Sequence, residues 1–163
     1  MKNPEELKRA KSAALRYLVY RNRSSHEVRE HLAKKGFPSA VVEETLSHLK
    51  ALNYLNDKNF AQSWGRSRTQ TKKIGKQRLR QELLTKGIES EVVKDALQSI
   101  YSEIDELQLA RDCVQKKISS MKEIDIDKKR RRMAQFLARK GFTAATVYAI
   151  LGQLLPLKTD DYQ

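Results

Sequence analysis

The residues with the clearest chemical potential are basic, and they fall into two clusters. From Arg66 to Gln81 there is no acidic residue, and this run contains seven arginines and lysines. Five adjacent cations form a second cluster at residues 128–132. Such side chains neutralise phosphates and pair with carboxylate surfaces. The residues predicted to bind a polyanionic partner, called here the basic belt, are Arg66, Arg68, Lys72, Lys73, Lys76, Arg78, Arg80, Lys128, Lys129, Arg130, Arg131 and Arg132.

Uncharged polar residues lie between the cations of the first cluster. Thr69, Gln70, Thr71 and Gln77 are expected to add hydrogen bonds to phosphates. Both clusters also have a plainer interpretation. The first can be a solvated connector between two helices, and the second a solvated helix start near acidic residues. The sequence leaves both interpretations open.

No pattern of catalytic or metal-binding residues occurs. Neither a phosphate loop ending in Gly-Lys-Ser/Thr nor a Gly-x-Ser-x-Gly nucleophile elbow is present. His26, His31 and His48 lack the i, i+4 spacing of a helical zinc pair. Cys113 is the single cysteine, so it is interpreted as a small apolar residue at a helix edge. We therefore predict a non-enzymatic protein without cofactor or metal.

Length and composition favour a folded helical protein with a polyanionic partner. The chain has 163 residues, a formal net charge of +13 and 39% hydrophobic residues, enough to bury a core. Glycine and proline are few, which disfavours a β-sandwich. No apolar stretch approaches the length of a bilayer span, and the first residues contain no apolar leader. A cytoplasmic protein that does not bind membranes is expected.

Three Lys-Gly pairs recur at an interval of roughly 50 residues, and apolar residues recur at fixed offsets around them. Agreement at so many offsets predicts a tandem repeat with one unit per pair. The Lys-Gly pairs are Lys35-Gly36, Lys86-Gly87 and Lys140-Gly141. The equivalent apolar residues of the three units are Val28/Leu79/Met133, Leu32/Leu83/Leu137, Phe37/Ile88/Phe142, Val42/Val93/Val147 and Leu46/Leu97/Leu151.

Apolar spacing within each unit predicts three helices. Val28, Leu32 and Ala33 are expected to share one helical face, and each Lys-Gly glycine is expected to end its helix in a left-handed conformation. No alternating run predicts a strand. The predicted fold is all-α, with three tandem three-helix repeats forming an elongated, curved array. We place the repeats at 1–52, 53–102 and 103–157, followed by a C-terminal tail at 158–163.

Local signals refine the helix starts. Ser24 and Glu27 have the spacing of a capping box, and Asn56 is a plausible N-cap of the next helix. Phe60 and Trp64 lie four residues apart on an apolar face, so we expect them in the core rather than stacked on bases.

Sequence stretches around the middle unit form a recognisable pattern. These stretches are LNYLNDKNFA at 52–61, Trp64, Arg68, IGKQRL at 74–79, QELLTKGI at 81–88, and the flanking REHLAKKGF at 29–37 and FLARKGF at 136–142. The pattern resembles the RecX family of bacterial recombination regulators across nearly the whole chain. Asn53 stands where this family usually has glycine, and Asn56 replaces an acidic residue.

The resemblance implies a function that composition does not. It implies a regulator without a catalytic centre, built from three-helix repeats, that binds the RecA recombinase and the RecA–single-stranded DNA filament. It further implies inhibition of RecA ATPase and strand exchange, by a monomer that can also contact DNA. Two alternatives stay open: a general nucleic-acid-binding helical repeat acting independently of RecA, and a scaffold for another acidic protein.

Overall fold

The regular elements are all helical. The computed structural model describes residues 3–122 and 125–156, and within these ranges it contains α-helices and no strand. The all-α prediction is confirmed. The helices are α1 (Pro4–Val19), α2 (Ser25–Lys34), α3 (Ser39–Ala51), α4 (Asp57–Lys72), α5 (Lys76–Thr85), α6 (Ser90–Glu103), α7 (Glu106–Ile118), α8 (Ile126–Arg139) and α9 (Ala144–Leu154).

The helices follow the predicted order of three per Lys-Gly period, yet the chain packs into two compact units. The first unit consists of Met1–Trp64 and Leu83–Ala96, and the second of Gly65–Glu82 and Leu97–Gln163. Helices α4, α5 and α6 therefore each contribute residues to both units. The repeat boundaries at 52 and 102 stay a prediction based on sequence periodicity.

Helix α1 packs against α2 and α3 in the first unit. Its contact face is made of small residues, Ala10, Ala13 and Ala14, which are all buried. Small side chains let helix axes approach closely, so larger residues of the facing helices fill the space. The buried residues that pack there are Val28, Leu32, Val41, Val42, Leu46, Leu49 and Leu55.

Helix α7 packs against α8 and α9 in the second unit. The residues at the recurring positions are buried again, including Met133, Leu137 and Leu151. Cys113 lies in this core, as expected of a small apolar residue. Burial raises the pKa of the Cys113 thiol, so it stays protonated at neutral pH.

The three Lys-Gly turns have the predicted left-handed ends. Gly36, Gly87 and Gly141 have φ angles of 85°, 75° and 85°. Each following residue donates its amide to a carbonyl five residues back, as in a Schellman motif. These bonds run from Phe37 to Leu32 at 3.3 Å, from Ile88 to Leu83 at 3.1 Å and from Phe142 to Leu137 at 3.1 Å.

Asparagine replaces glycine in a fourth turn of this kind, at the end of α3. Asn53 has a φ of 59°, and the next amide, that of Tyr54, donates to Leu49 O at 2.9 Å. Asparagine tolerates the left-handed region better than most residues. The departure from the family's usual glycine therefore preserves the turn.

The predicted helix starts are confirmed. Ser24 and Glu27 form a reciprocal capping box at α2. The Asn56 side chain accepts a hydrogen bond from the Asn59 amide at 3.0 Å, which caps α4. These caps satisfy amides that have no acceptor inside the helix.

Two predicted core positions differ from expectation. Ala33 is exposed, because successive residues advance by about 100° and five residues carry it well away from Val28 around the helix. Trp64 is half-buried: its ring stacks on the buried Phe60 ring at 5.8 Å, and the Lys86 ammonium lies 4.7 Å from the Trp64 ring centroid.

Candidate functional site

The first cluster of the basic belt surrounds the junction between α4 and α5, as predicted. Helix α4 ends at Lys72 and α5 begins at Lys76. Lys73 has a φ of 48°, a left-handed conformation that a non-glycine residue rarely adopts. The left-handed residue reverses the chain within three positions, so cations from both helix ends lie at one corner of the second unit.

Several belt cations are held by carboxylates that lie far away in the sequence. Arg66 forms a two-pronged ion pair with Glu103. Both nitrogens of the Arg68 fork donate to Glu82 at 2.6 Å. Lys73 lies 3.5 Å from Asp112, and Arg78 lies 3.4 Å from Glu82. The acid-free run is therefore partly neutralised by acids from α5, α6 and α7.

The paired carboxylates have lowered pKa values. Although burial alone would raise the pKa of Glu82, hydrogen bonds and charge from Arg68 and Arg78 outweigh it. At the exposed Glu103, the hydrogen bond from Arg66 lowers the pKa. Both carboxylates are thus ionised at neutral pH and hold their arginines on the protein.

The second cluster lies at the start of α8 in the same unit. Arg130 turns inward, and its Nη1 donates to the carbonyl oxygens of Leu151, at 3.1 Å, and Leu155. A cation at these carbonyls stabilises the C-terminal end of α9. Arg130 therefore has a structural contact within the unit.

The remaining cations of the belt are the ones available to a partner. The Lys76 ammonium lies 5.6 Å from the Tyr101 ring centroid. Among residues 3–122 and 125–156, six further belt side chains have no hydrogen bond or ion pair, and all but the half-buried Lys129 are exposed: Lys72, Arg80, Lys128, Lys129, Arg131 and Arg132.

Part of the predicted polar lining is unavailable. Thr69 is buried, and its hydroxyl donates to Gly65 O and Arg66 O within α4. The Thr71 hydroxyl donates to Ser67 O at 2.7 Å. Threonine hydroxyls commonly bond the carbonyl of the preceding helical turn. The expectation that these threonines bind phosphates has no support in this geometry.

The start of α5 is hydrogen-bonded to the Lys-Gly turn after α8, and this set of contacts is called the clasp. Gly75 donates its amide to Lys140 O at 2.9 Å, and Gln77 donates to Gly141 O at 3.1 Å. In return, Lys140 Nζ donates to Lys72 O at 2.6 Å. A Cβ built on Gly141 would lie 2.3 Å from the Arg78 backbone nitrogen. This clasp fixes the α4–α5 corner against α8.

The first unit contains a corresponding clasp one repeat earlier. Ser24 Oγ donates to Lys86 O at 2.7 Å, and the Lys86 ammonium lies 2.9 Å from Glu27. A Cβ built on Gly87 would lie 2.4 Å from His26 Cβ. Around Gly36, by contrast, nothing among the described residues lies within 4 Å of such a Cβ.

Glu27 is the electrostatic centre of the first clasp. It also accepts hydrogen bonds from Arg21 at 2.8 Å and from the Ser24 amide at 3.0 Å. Burial opposes ionisation, but these bonds and that from Lys86 give a net lowering of the Glu27 pKa. One carboxylate thus caps α2 and anchors the next Lys-Gly turn.

Sequence reasoning missed two lysines of α7 and one aromatic residue of α8, namely Lys116, Lys117 and Phe136, but it had noted Lys140 as a continuation of the second basic cluster. Lys116 and Lys117 lie near the C-terminal end of α7, and Phe136 and Lys140 lie on or directly after α8. All four line one cavity of the second unit. The available signal was a phenylalanine inside a stretch rich in cations, at residues 128–140.

The described residues contain neither a metal-binding cluster nor a membrane-spanning helix. No group of histidine, cysteine and carboxylate side chains there has the arrangement of a metal site. No helix in the described ranges combines the length and apolar character that a membrane crossing requires.

The three helical repeats match models of a known protein family. Family models describing the first, second and third three-helix domains of RecX match residues 10–49, 56–97 and 103–151. The chain belongs to the RecX family. The predicted family and the three three-helix repeats are thereby confirmed.

Individual RecX proteins are similar over most of the chain. Regulatory protein RecX of Streptomyces coelicolor is 32% identical over 157 residues, covering 96% of this chain and 83% of that protein. Regulatory protein RecX of Amycolatopsis mediterranei is 35% identical, covering 93% and 87% of the two chains. The crystal structure of RecX from Lactobacillus salivarius matches with a TM-score of 0.81 at 26% identity, covering 93% of this chain and 98% of that one.

Proposed function

We propose that this chain is a non-enzymatic, monomeric, cytoplasmic regulator that binds RecA and its filament on single-stranded DNA. Binding lowers the ATPase and strand-exchange activities of RecA and so modulates recombination and DNA repair. Two findings support the proposal: membership of the RecX family, and close relatives that are named regulatory proteins.

The observation that carries the proposal is the set of cations on the second unit that have no partner among residues 3–122 and 125–156. Arg80 lies on α5, whereas Arg131 and Arg132 lie on α8, and the clasp holds these helices together. Cations carried by helices that are held together suit a regularly charged partner, because the helices need not be rearranged for the charges to be engaged together. A nucleoprotein filament offers both DNA phosphates and protein carboxylates.

The direct test follows ATP hydrolysis by RecA on single-stranded DNA while the chain is titrated in. We expect hydrolysis to fall with added protein and to reach a low plateau at or below an equimolar ratio. Unchanged hydrolysis at equimolar protein would falsify the proposal.

Charge reversal tests the surface itself. We expect the variant R80E/R131E/R132E to lose inhibition of RecA, because none of these side chains has an intramolecular partner in the described chain. The matched control is K50E/K58E/K94E, which makes the same charge change at exposed positions of the first unit. Equal loss of inhibition in both variants would mean that net charge, and not this surface, is responsible.

The alternative of a general nucleic-acid-binding protein predicts a different result. Binding to naked DNA or RNA would then be tight and steeply salt-dependent, and RecA would be neither required nor inhibited. Measuring DNA affinity with and without RecA in the same buffer separates the two functions.

A further inference from the structure

Two adjoining cavities lie between α7 and α8 in the second unit. The first has a volume of about 380 Å³ and the second about 560 Å³. Lys117, Ser120 and Phe136 line both cavities, so the two adjoin at these side chains and are together called the groove. Volumes in this range are typical of small-ligand sites.

Among the described side chains that line the first cavity, basic ones are the largest group, and two others are apolar. Five lysines line it, and Asp112 is the one acid among the described residues that do so. Asp112 is paired with Lys73, and Lys140 binds the Lys72 carbonyl. The buried Cys113 and the aromatic Phe136 also line this cavity. The lysines are Lys72, Lys73, Lys116, Lys117 and Lys140.

The second cavity continues the positive charge. Lys122, Arg132 and Arg139 line it together with Lys117, and no carboxylate is found among the described residues that line it. A ligand that occupies both cavities would therefore contact cations in each of them and the Phe136 ring that the two share.

Phe136 is partly buried in this position. It packs against the core of the second unit, and its ring lies 5.6 Å from the Lys117 ammonium and 5.7 Å from that of Lys140. Both ammonium groups are within cation–π range of the ring. A planar group that stacks on Phe136 would thus have two cations close by for its adjoining anionic groups.

We propose that this groove binds single-stranded nucleic acid, with one base stacked on Phe136 and the flanking phosphates on the surrounding lysines and arginines. The inference rests on the proposed function and identifies a contact of this chain with the DNA strand of its partner. The combination of an aromatic ring with several surrounding cations matches a nucleotide chain. An acidic protein segment would use the charges but has no need of the aromatic ring.

The test compares two polyanions of equal charge by fluorescence anisotropy, without RecA. One is an oligothymidylate of about 12 nucleotides and the other an abasic strand of the same length. Stacking contributes about 1–3 kcal/mol per base, so we expect the thymidylate to bind about 5- to 150-fold more tightly. Equal affinity for both strands would overturn the proposal, since it would show binding by backbone charge alone.

Three variants assign the effect to the groove. F136L keeps the apolar bulk and should lose the preference for bases while the salt dependence is unchanged. K117Q/K122Q should keep the preference and lower the slope of log K against log salt by about 0.7 per lost phosphate contact. Y148L removes an aromatic ring that is 76% exposed on α9 and should change neither property.

Folding of each variant is checked by circular dichroism. If F136L does not fold, photocrosslinking of wild-type protein to an iodouracil-labelled strand replaces it, with a crosslink in the peptide containing Phe136 expected. A crosslink elsewhere would contradict the groove. If polyglutamate competes as well as thymidylate does, the occupant is an acidic protein and the proposal is wrong. The RecA hydrolysis assay is independent, so failure here leaves the regulatory proposal standing.

Discussion

At the residue scale, the glycines of the Lys-Gly pairs meet one or two separate requirements. All three glycines have positive φ, which costs other residues about 1–2 kcal/mol. Gly87 and Gly141 meet a second requirement, because a Cβ would collide with His26 or Arg78 of the preceding repeat. Gly36 faces open space within the described chain, so its requirement is conformational only.

Asparagine substitution separates the two requirements. We expect G36N to lower the free energy of unfolding by about 1 kcal/mol or less, since asparagine tolerates positive φ. G141N should cost about 2 kcal/mol more, because the obstructing atoms include the α5 backbone. Urea denaturation of both variants measures the difference. Equal midpoints would show that the close approach at Gly141 relaxes freely.

At the element scale, ion pairs join one helix to another. Local sequence signals specify only where each helix begins and ends. Glu82 of α5 holds Arg68 of α4, with both side chains mostly buried, at 20% and 23% exposure. Glu27 of α2 holds Lys86 directly after α5. These two carboxylates give the helix packing a dependence on pH.

Acidification should therefore destabilise the fold. The folded-state pKa values of Glu27 and Glu82 lie below the ordinary 4.5, so their stabilisation is present above pH 4.5 and is lost as pH falls through the folded values. We expect the midpoint temperature of thermal unfolding to decrease as the pH is lowered from 4.5. E27Q/E82Q should have a lower midpoint at pH 7 and a shallower acid dependence. If the midpoint temperature changes with pH equally steeply in wild type and variant, the acid sensitivity arises from other groups.

The sequence predicted helix starts and ends well because those signals are local. The capping box at Ser24 and the three glycine turns each depend on residues within a few positions. The partners of the basic belt could not be predicted this way. Glu103 lies 37 residues from Arg66, and no periodicity connects them. The groove around Phe136 was missed for the same reason, since its lysines come from separate helices.

For the molecule as a whole, the cations behind the formal charge of +13 divide into those that hold the fold and those without a partner in the described part of the chain. Arg66, Arg68 and Arg130 belong to the first group, with partners on neighbouring helices. Arg131 and Arg132 belong to the second. A charge count therefore overstates the surface that a polyanion can engage.

Elution from heparin tests whether the free cations act as a local surface. R80E/R131E/R132E and K50E/K58E/K94E carry the same net charge, so a global effect would shift both equally. We expect the first variant to elute at a clearly lower salt concentration, because polyanion affinity depends on the number of cations engaged together. Coincident elution would show that the charge acts without regard to position.

The clasp between α5 and the turn after α8 also gives the chain an internal reporter of its own opening. Amides at the start of a helix usually exchange with solvent deuterium quickly, since they have no acceptor within the helix. The Gly75 and Gln77 amides are bonded instead to Lys140 O and Gly141 O, so their exchange is slow only while the clasp is closed. Isotope uptake at two backbone positions would thus reveal whether engagement of a filament pulls the second and third repeats apart.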